Sequence, residues 1–431
     1  MNGNAPFSPV AAPLQRPASL WRRAVGSDFV RKVAETYLSR IALVAIGLST
    51  SVLVARALGP EGRGLFAVAG ASAAMGVQLG NLGFHTANTY LVGRDRSLLP
   101  ALVGNTLALS AIAGLGIALL SGAVFAMRPV LAPAGGMILW LALASIPVGL
   151  GGLLLQNILL GIQEVRAYNA IEVGTKLAIV ILFGLIVFIG SATAVTAFAT
   201  VLLVQAAGVA VVYGRLRKEL ASPPVLSGPV FLEAAGYGLK SYVSSFLHVL
   251  MLRADLLMVK YMLGAEEAGQ YSIAAGLADQ FYLLPAVIGM ILFPKLTALE
   301  TVKEKWDLTF RVTVVVLCIM LALGGLSVAL AKPVVAILFG RPFLPAATAF
   351  IWLVPGLVFY GATFSTMFLM SVGQPIGVLY IWIVVVALNL GLNYFVIPVF
   401  GIVGAAAVSS ITYTLCFIFY SIYAWRYYRG R

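Results

Sequence analysis

Residues 241–271, SYVSSFLHVLMLRADLLMVKYMLGAEEAGQY, carry His248, Arg253 and Asp255 inside a run apolar enough to enter a bilayer. An arginine or a carboxylate at that depth can hold an oppositely charged group, and an imidazole or carboxylate can carry a proton. Ser241, Ser244 or Ser245, His248 and Asp255 recur at three-, four- and seven-residue intervals and so share one helical face. Arg253 lies off that face: two residues turn a helix through roughly 200°, so Arg253 and Asp255 need different neighbours. Either the charges form buried ion pairs that fix helices together, or they face a polar cavity.

Other runs repeat the theme. Gln78, Asn81, His85 and Asn88 in QLGNLGFHTAN form a second polar face, suited to hydrogen-bonding a polar cargo or a neighbouring helix. Arg40 shares a polar or small face with Thr36, Gly47 and Ser51. Asp279 lies deep in a later run, and Pro285 behind it can kink that helix. Glu172 and Lys176, at i and i+4, read as an interfacial ion pair. Gly76 and Gly80 read as a GxxxG packing face, and Asn389 and Asn393 as inter-helix hydrogen-bonding groups.

These groups must be held by membrane helices. With 61% hydrophobic and only 10% charged residues among 431, the chain lies far from the composition of soluble domains. About 20 helical residues cross a hydrocarbon core, so the apolar runs predict an all-α membrane protein of about twelve spans. Six fall at 34–56, 65–92, 99–125, 136–160, 170–190 and 194–214, the second six at 239–262, 269–294, 308–331, 349–371, 377–399 and 404–425. The domains are then a tail and basic interfacial segment at 1–33, a six-helix lobe at 34–214, a polar linker at 215–238, a second lobe at 239–425 and a basic tail at 426–431. The proline-bearing start, residues 1–20, reads as a disordered cytoplasmic tail, and residues 21–32, basic and aromatic, as a segment lying on an anionic leaflet. The net charge of +13 does not point to nucleic acid, because Lys and Arg gather on the loops of one side roughly threefold over the other. Both termini are therefore expected in the cytoplasm.

LGPEGRGLF at 58–66 and LGAEEAGQY at 263–271 each join the first two spans of their half, at an offset of 205 residues. An even number of crossings per half implies parallel repeats about an axis along the membrane normal. The natural place for a substrate is between them. Cys318 and Cys416 lack any ligand or disulfide spacing, and GxxxxGK[ST], HExxH and GxSxG motifs are absent. The expected work is movement across the membrane rather than catalysis, without a cofactor, driven by a substrate gradient, an ion gradient such as H+ or Na+, or the membrane potential.

VARALGPEGRGLFAV, LGNLGFHTANTYLVGRD, RADLLMVKYMLGAEEAGQYSIA and NYFVIPVFGIVGAAAVSS resemble the polysaccharide-biosynthesis and oligosaccharide flippases of the multidrug/oligosaccharidyl-lipid/polysaccharide exporter superfamily. The resemblance implies two pseudo-symmetric six-helix lobes around a central cavity in a bacterial inner membrane, alternating between cytoplasmic and periplasmic access. It implies a polyprenyl-diphosphate-linked oligosaccharide as cargo, with membrane lipids, a glycan polymerase and glycosyltransferases as partners. Arg40 and Arg253 would then neutralise phosphate or acidic sugar, Gln78, Asn81, His85 and Asn88 would bond sugar, and His248, Asp255 or Asp279 would carry a coupling ion. The alternative within transport is a cation-coupled multidrug and toxin extrusion antiporter. A lipid-linked glycan ligase or polymerase, or a non-transporting scaffold, stands further off, since no long external loop offers a catalytic site.

Overall fold

The computed structural model describes residues 27–373 and 375–430. The expected N-terminal tail, most of the basic segment and residue 431 lie outside the described residues. The described chain contains α1 (Ser27–Asn81), α2 (Phe84–Arg94), α3 (Leu99–Met127), α4 (Met137–Gly161), α5 (Val165–Phe188), α6 (Ala194–Arg217), α7 (Gly228–Leu263), α8 (Ala265–Phe281), α9 (Leu283–Ala298), α10 (Val302–Leu338), α11 (Leu344–Gly361), α12 (Ser365–Ser371) and α13 (Gly377–Arg429). No strand occurs among the described residues.

Among the described residues ten helical stretches are long and apolar enough to cross a membrane, yet two of them are double. Ser39–Asn81 and Gly377–Arg429 run to 43 and 53 residues, far beyond the roughly 20 that one crossing needs. Each folds back at a glycine: Gly59 has φ 68° and ψ −177°, Gly401 φ 61° and ψ −148°. Only glycine occupies that region readily. The result is twelve crossings in two six-helix lobes, as expected. Gly264, with φ 106° and ψ −179°, makes the corresponding turn between α7 and α8. The two repeat motifs therefore share a backbone turn as well as four letters.

Local sequence signals set several ends. Thr193 and Thr196 form a capping box for α6, Thr301 and Glu304 one for α10, and Ser227 caps α7. Pro285 cannot donate to the carbonyl four residues back, and α8 ends at that residue, Phe281. Span two is also broken, at Leu82 (φ 46°) and Gly83 (φ 80°).

Lipid tails offer no hydrophobic gain for helix association, so close packing of small residues must hold the bundle. A Cβ on Gly76 would lie 2.6 Å from Ile146 and one on Gly80 2.9 Å from Leu150, which seats α1 on α4. The lobes meet chiefly through α1 and α2 on one side and α7 and α8 on the other. At the face of the Gly59 and Gly264 turns, a Cβ on Gly64 would fall 1.7 Å from the Ala265 carbonyl oxygen, and one on Gly269 1.9 Å from that of Pro60. Backbone touches backbone there, in a reciprocal arrangement that fits a two-fold axis.

Helix α7 begins at Gly228, ahead of the span expected from 239. Its first turns pack into the first lobe: Ala234 is buried in that core, Phe231 meets Phe84, Tyr237 stacks on Tyr90 at 4.4 Å and Glu233 pairs with Arg94 at 2.6 Å. Met251, Leu256 and Val259, further along, belong to the core of the second lobe.

Candidate functional site

Helices α7, α8, α11 and the second arm of α13 bring the polar groups of the second lobe together. Asp255 is buried and accepts three hydrogen bonds: from the Tyr271 hydroxyl at 2.5 Å, the Ser409 hydroxyl at 3.0 Å and the Leu256 N–H at 2.7 Å. Arg253 turns away from it, as the helix geometry requires, and donates from Nη2 to Asp279 Oδ2 on α8 at 3.1 Å. Arg253 stands about ten residues, or roughly 15 Å, from either end of the stretch Tyr242–Leu263. The pair nevertheless keeps 35% and 44% of its side-chain surface open. Open charge at mid-membrane depth is costly against lipid, so the pair requires protein or water beside it, and Asp279 lines a cavity of the second lobe.

Two adjoining cavities of about 120 and 270 Å³ lie inside the second lobe and share His248, Tyr282 and Tyr360. Asp255 and Asp279 line the first, Ser244 and Ser245 the second. The described side chains of the Ser/His/Asp face thus line these partly open cavities. His248 packs against Trp382 at 5.4 Å and Tyr360 at 6.4 Å between ring centroids. Tyr282, Tyr360 and Tyr413 stack in series at 5.5 and 5.0 Å.

Arg253 and Asp279 balance each other, which leaves Asp255 with hydroxyl and amide donors but no cation bonded to it among the described residues. Such a carboxylate with oxygen neighbours can take a proton or a small hard cation. Among the described residues no cluster of three or more His, Cys, Asp or Glu has metal-site spacing.

The first lobe is arranged differently. Arg40 donates to Glu172 of α5 at 3.3 Å. The expected Glu172–Lys176 pair gives way to this one because Arg40, on a neighbouring helix, reaches the carboxylate while Lys176 is exposed. The Gln78–Asn88 face is split by the break at Leu82–Gly83. Asn81 is buried and its Oδ1 accepts from the His85 N–H at 3.2 Å, so it caps α2. Asn88 is buried and donates to Thr106 of α3 at 2.9 Å. Gln78 and His85 remain half-buried. In the second lobe Asn389 donates to Thr412 on the other arm of α13 at 3.0 Å, the inter-helix role expected of it, whereas Asn393 donates to Asn389 within its own helix at 3.2 Å.

Sequence reasoning missed Tyr271, Ser409 and the tyrosine stack. A signal was available: tyrosines favour the two ends of a span, so Tyr360 and Tyr413 within apolar runs mark a polar interior. It also missed Arg63, within the LGPEGRGLF join, which reaches Ser272 of the other lobe.

A family profile described as polysaccharide biosynthesis protein matches residues 29–300, well over half of the chain. No functionally curated protein matches it by sequence. Among solved structures, the chain is similar to an inward-facing multidrug resistance MATE family transporter of the MOP superfamily, with TM-score 0.73 and 17% identity over 90% of this chain and 95% of that one. It is similar to the lipid II flippase MurJ in an inward closed conformation, with TM-score 0.69 and 14% identity over 91% and 87%. An outward-facing multidrug resistance MATE family transporter gives 0.62 and 16% over 93% and 95%.

Proposed function

Because the chain belongs to the polysaccharide biosynthesis protein family and has the fold of the MOP-superfamily transporters and flippases, we propose that it carries a polyprenyl-diphosphate-linked oligosaccharide across a bacterial inner membrane. Movement runs from the cytoplasmic to the periplasmic leaflet by alternating access, with both termini in the cytoplasm. The observation that carries this reading is the Arg253–Asp279 pair, solvent-open at mid-span. A diphosphate-sugar head group cannot enter hydrocarbon unaided. A guanidinium facing a wet cavity offers it a bidentate partner, and Asp279 is the counter-ion it displaces. Arg40, paired with Glu172, offers the same exchange on the other lobe, while the polyprenyl tail stays in lipid. Gln78 and His85, with Asn81 and Asn88 behind them, supply hydrogen-bonding capacity for sugar. Asp255, with His248 and Asp279 on the same cavity, is the place for a coupling H+ or Na+. A glycan polymerase and glycosyltransferases are the partners such a cargo requires.

The test is translocation of a fluorescent lipid-linked oligosaccharide in proteoliposomes. Arg253→Ala and Arg40→Ala should each slow it at normal protein levels; wild-type rates in both would remove the cation trap. The acidic environment around Asp255 also favours a second reading, cation-coupled efflux of an organic cation. Sodium- or proton-driven dye export by the purified protein, without glycan translocation, would establish that one instead.

A further inference from the structure

Arg63 stands on the second arm of α1, just beyond the Gly59 turn, half-buried where the two lobes touch. Its Nε donates to Ser272 of α8 at 3.1 Å, its Nη2 to Ser51 at 3.2 Å, and its guanidinium lies 5.7 Å from the centre of the Phe66 ring. Arg40, Arg94, Arg215 and Arg253 each face a carboxylate. Arg63 faces two neutral hydroxyls, and no carboxylate pairs with it among the described residues, although Glu61, Glu266 and Glu267 stand on the same two helix starts. Three of its five N–H donors have no protein acceptor among the described residues. The repeat offers no counterpart: an offset of 205 residues places Ala268 there.

We propose that Arg63 is a binding residue for a phosphate oxyanion and that taking one up releases the seam between the lobes. The inference rests on the translocation reading. A charge-assisted bond from guanidinium to phosphate is roughly twice as strong as one between neutral groups, and it can be bidentate. A serine hydroxyl is therefore a place-holder that an arriving phosphate displaces. Because Ser272 belongs to the second lobe, the displacement removes the side-chain bridge nearest the Gly64–Gly269 backbone contact, leaving Arg56 on the Ile337 and Leu338 carbonyls and Tyr261 on the Leu131 carbonyl as the other bonds between the lobes at this face. Head-group arrival and opening of that face become one event.

The experiment uses the full chain in nanodiscs, with Cys318 replaced by Ser and Cys416 left buried. Spin labels at Glu61→Cys and Glu266→Cys report the seam, and binding is measured in parallel with farnesyl diphosphate, inorganic diphosphate and farnesol. In wild type, farnesyl diphosphate should bind and lengthen the 61–266 distance, farnesol should do neither, and inorganic diphosphate should show whether the phosphate suffices without the lipid. Arg63→Gln should weaken diphosphate binding about tenfold and abolish the distance change, with Arg63→Lys in between. Ser272→Ala keeps the guanidinium and removes its competitor, so it should bind severalfold tighter and open more readily; it decides the matter if Arg63→Gln does not fold. Wild-type binding and opening in Arg63→Gln, or unchanged binding in Ser272→Ala, would overturn the role of Arg63 while leaving the translocation reading intact. No diphosphate binding by wild type would overturn both.

Discussion

The two lobes share a backbone plan but not a chemistry. Transferring His248, Arg253, Asp255 and Asp279 through the repeat offset lands on Leu43, Leu48, Thr50 and Ala74. Among the described residues the Thr50 hydroxyl bonds its own helix, at the Ile46 carbonyl, whereas Asp255 gathers Tyr271 and Ser409 from two other helices. Among the described residues the first lobe pairs Arg40 with Glu172 between α1 and α5; the second has an Arg–Asp pair, an acid with no cation bonded to it and a cavity beside them. The repeat keeps the backbone plan, while among the described residues a buried carboxylate bonded only by hydroxyl and amide donors stands in the second half.

The sharpest way to break this comparison is to substitute equivalent positions. Asp255→Asn keeps an acceptor for Tyr271 and Ser409 and removes the charge. Transport in proteoliposomes should fall at least about tenfold, a change of roughly 1.4 kcal/mol, whereas Thr50→Ala should stay within about twofold. Equal effects would mean that the lobes are chemically interchangeable. Next in size is the shared seam. Gly269→Ala and Gly64→Ala each force a Cβ into a facing carbonyl, so both should lose about 1–3 kcal/mol in chemical denaturation and widen the gap between labels on the two lobes. A response from only one would deny the two-fold arrangement. Arg253→Ala should slow transport more than Arg40→Ala, by about tenfold against about threefold, a difference of roughly 0.7 kcal/mol; the reverse order would move the principal anion contact to the first lobe. The smallest effect concerns packing. Asn389→Ala should cost about 0.6 kcal/mol, a typical value for a hydrogen bond between membrane helices, and leave transport rates unchanged.

The fold was legible because a bilayer imposes a strong length rule. Twelve crossings follow from apolar runs, and the turns at Gly59 and Gly264 are visible as repeated LG dipeptides. Where two spans join without an intervening loop, hydropathy still separates them although the helix is nearly continuous. The site was less legible, since periodicity says which residues share a face and not what the face meets. Gln78, Asn81, His85 and Asn88 satisfy the spacing, but the αL residues Leu82 and Gly83 break the helix between them and turn Asn81 into a cap. The partner of Arg253 lies 26 residues away on another helix, beyond any local pattern. Helical rotation alone excluded a simple Arg253–Asp255 pair, and the structure agrees.

The early start of α7 bears on how the molecule could be taken apart. Its first turns are built into the first lobe through Ala234, Phe231 and the Tyr90–Tyr237 stack, and its remainder into the second. The covalent join at residues 218–227 thus duplicates a connection that α7 already makes by packing. Two fragments divided there should reassemble as separate polypeptides, with α7 serving as the docking pin; a division inside α7 should not.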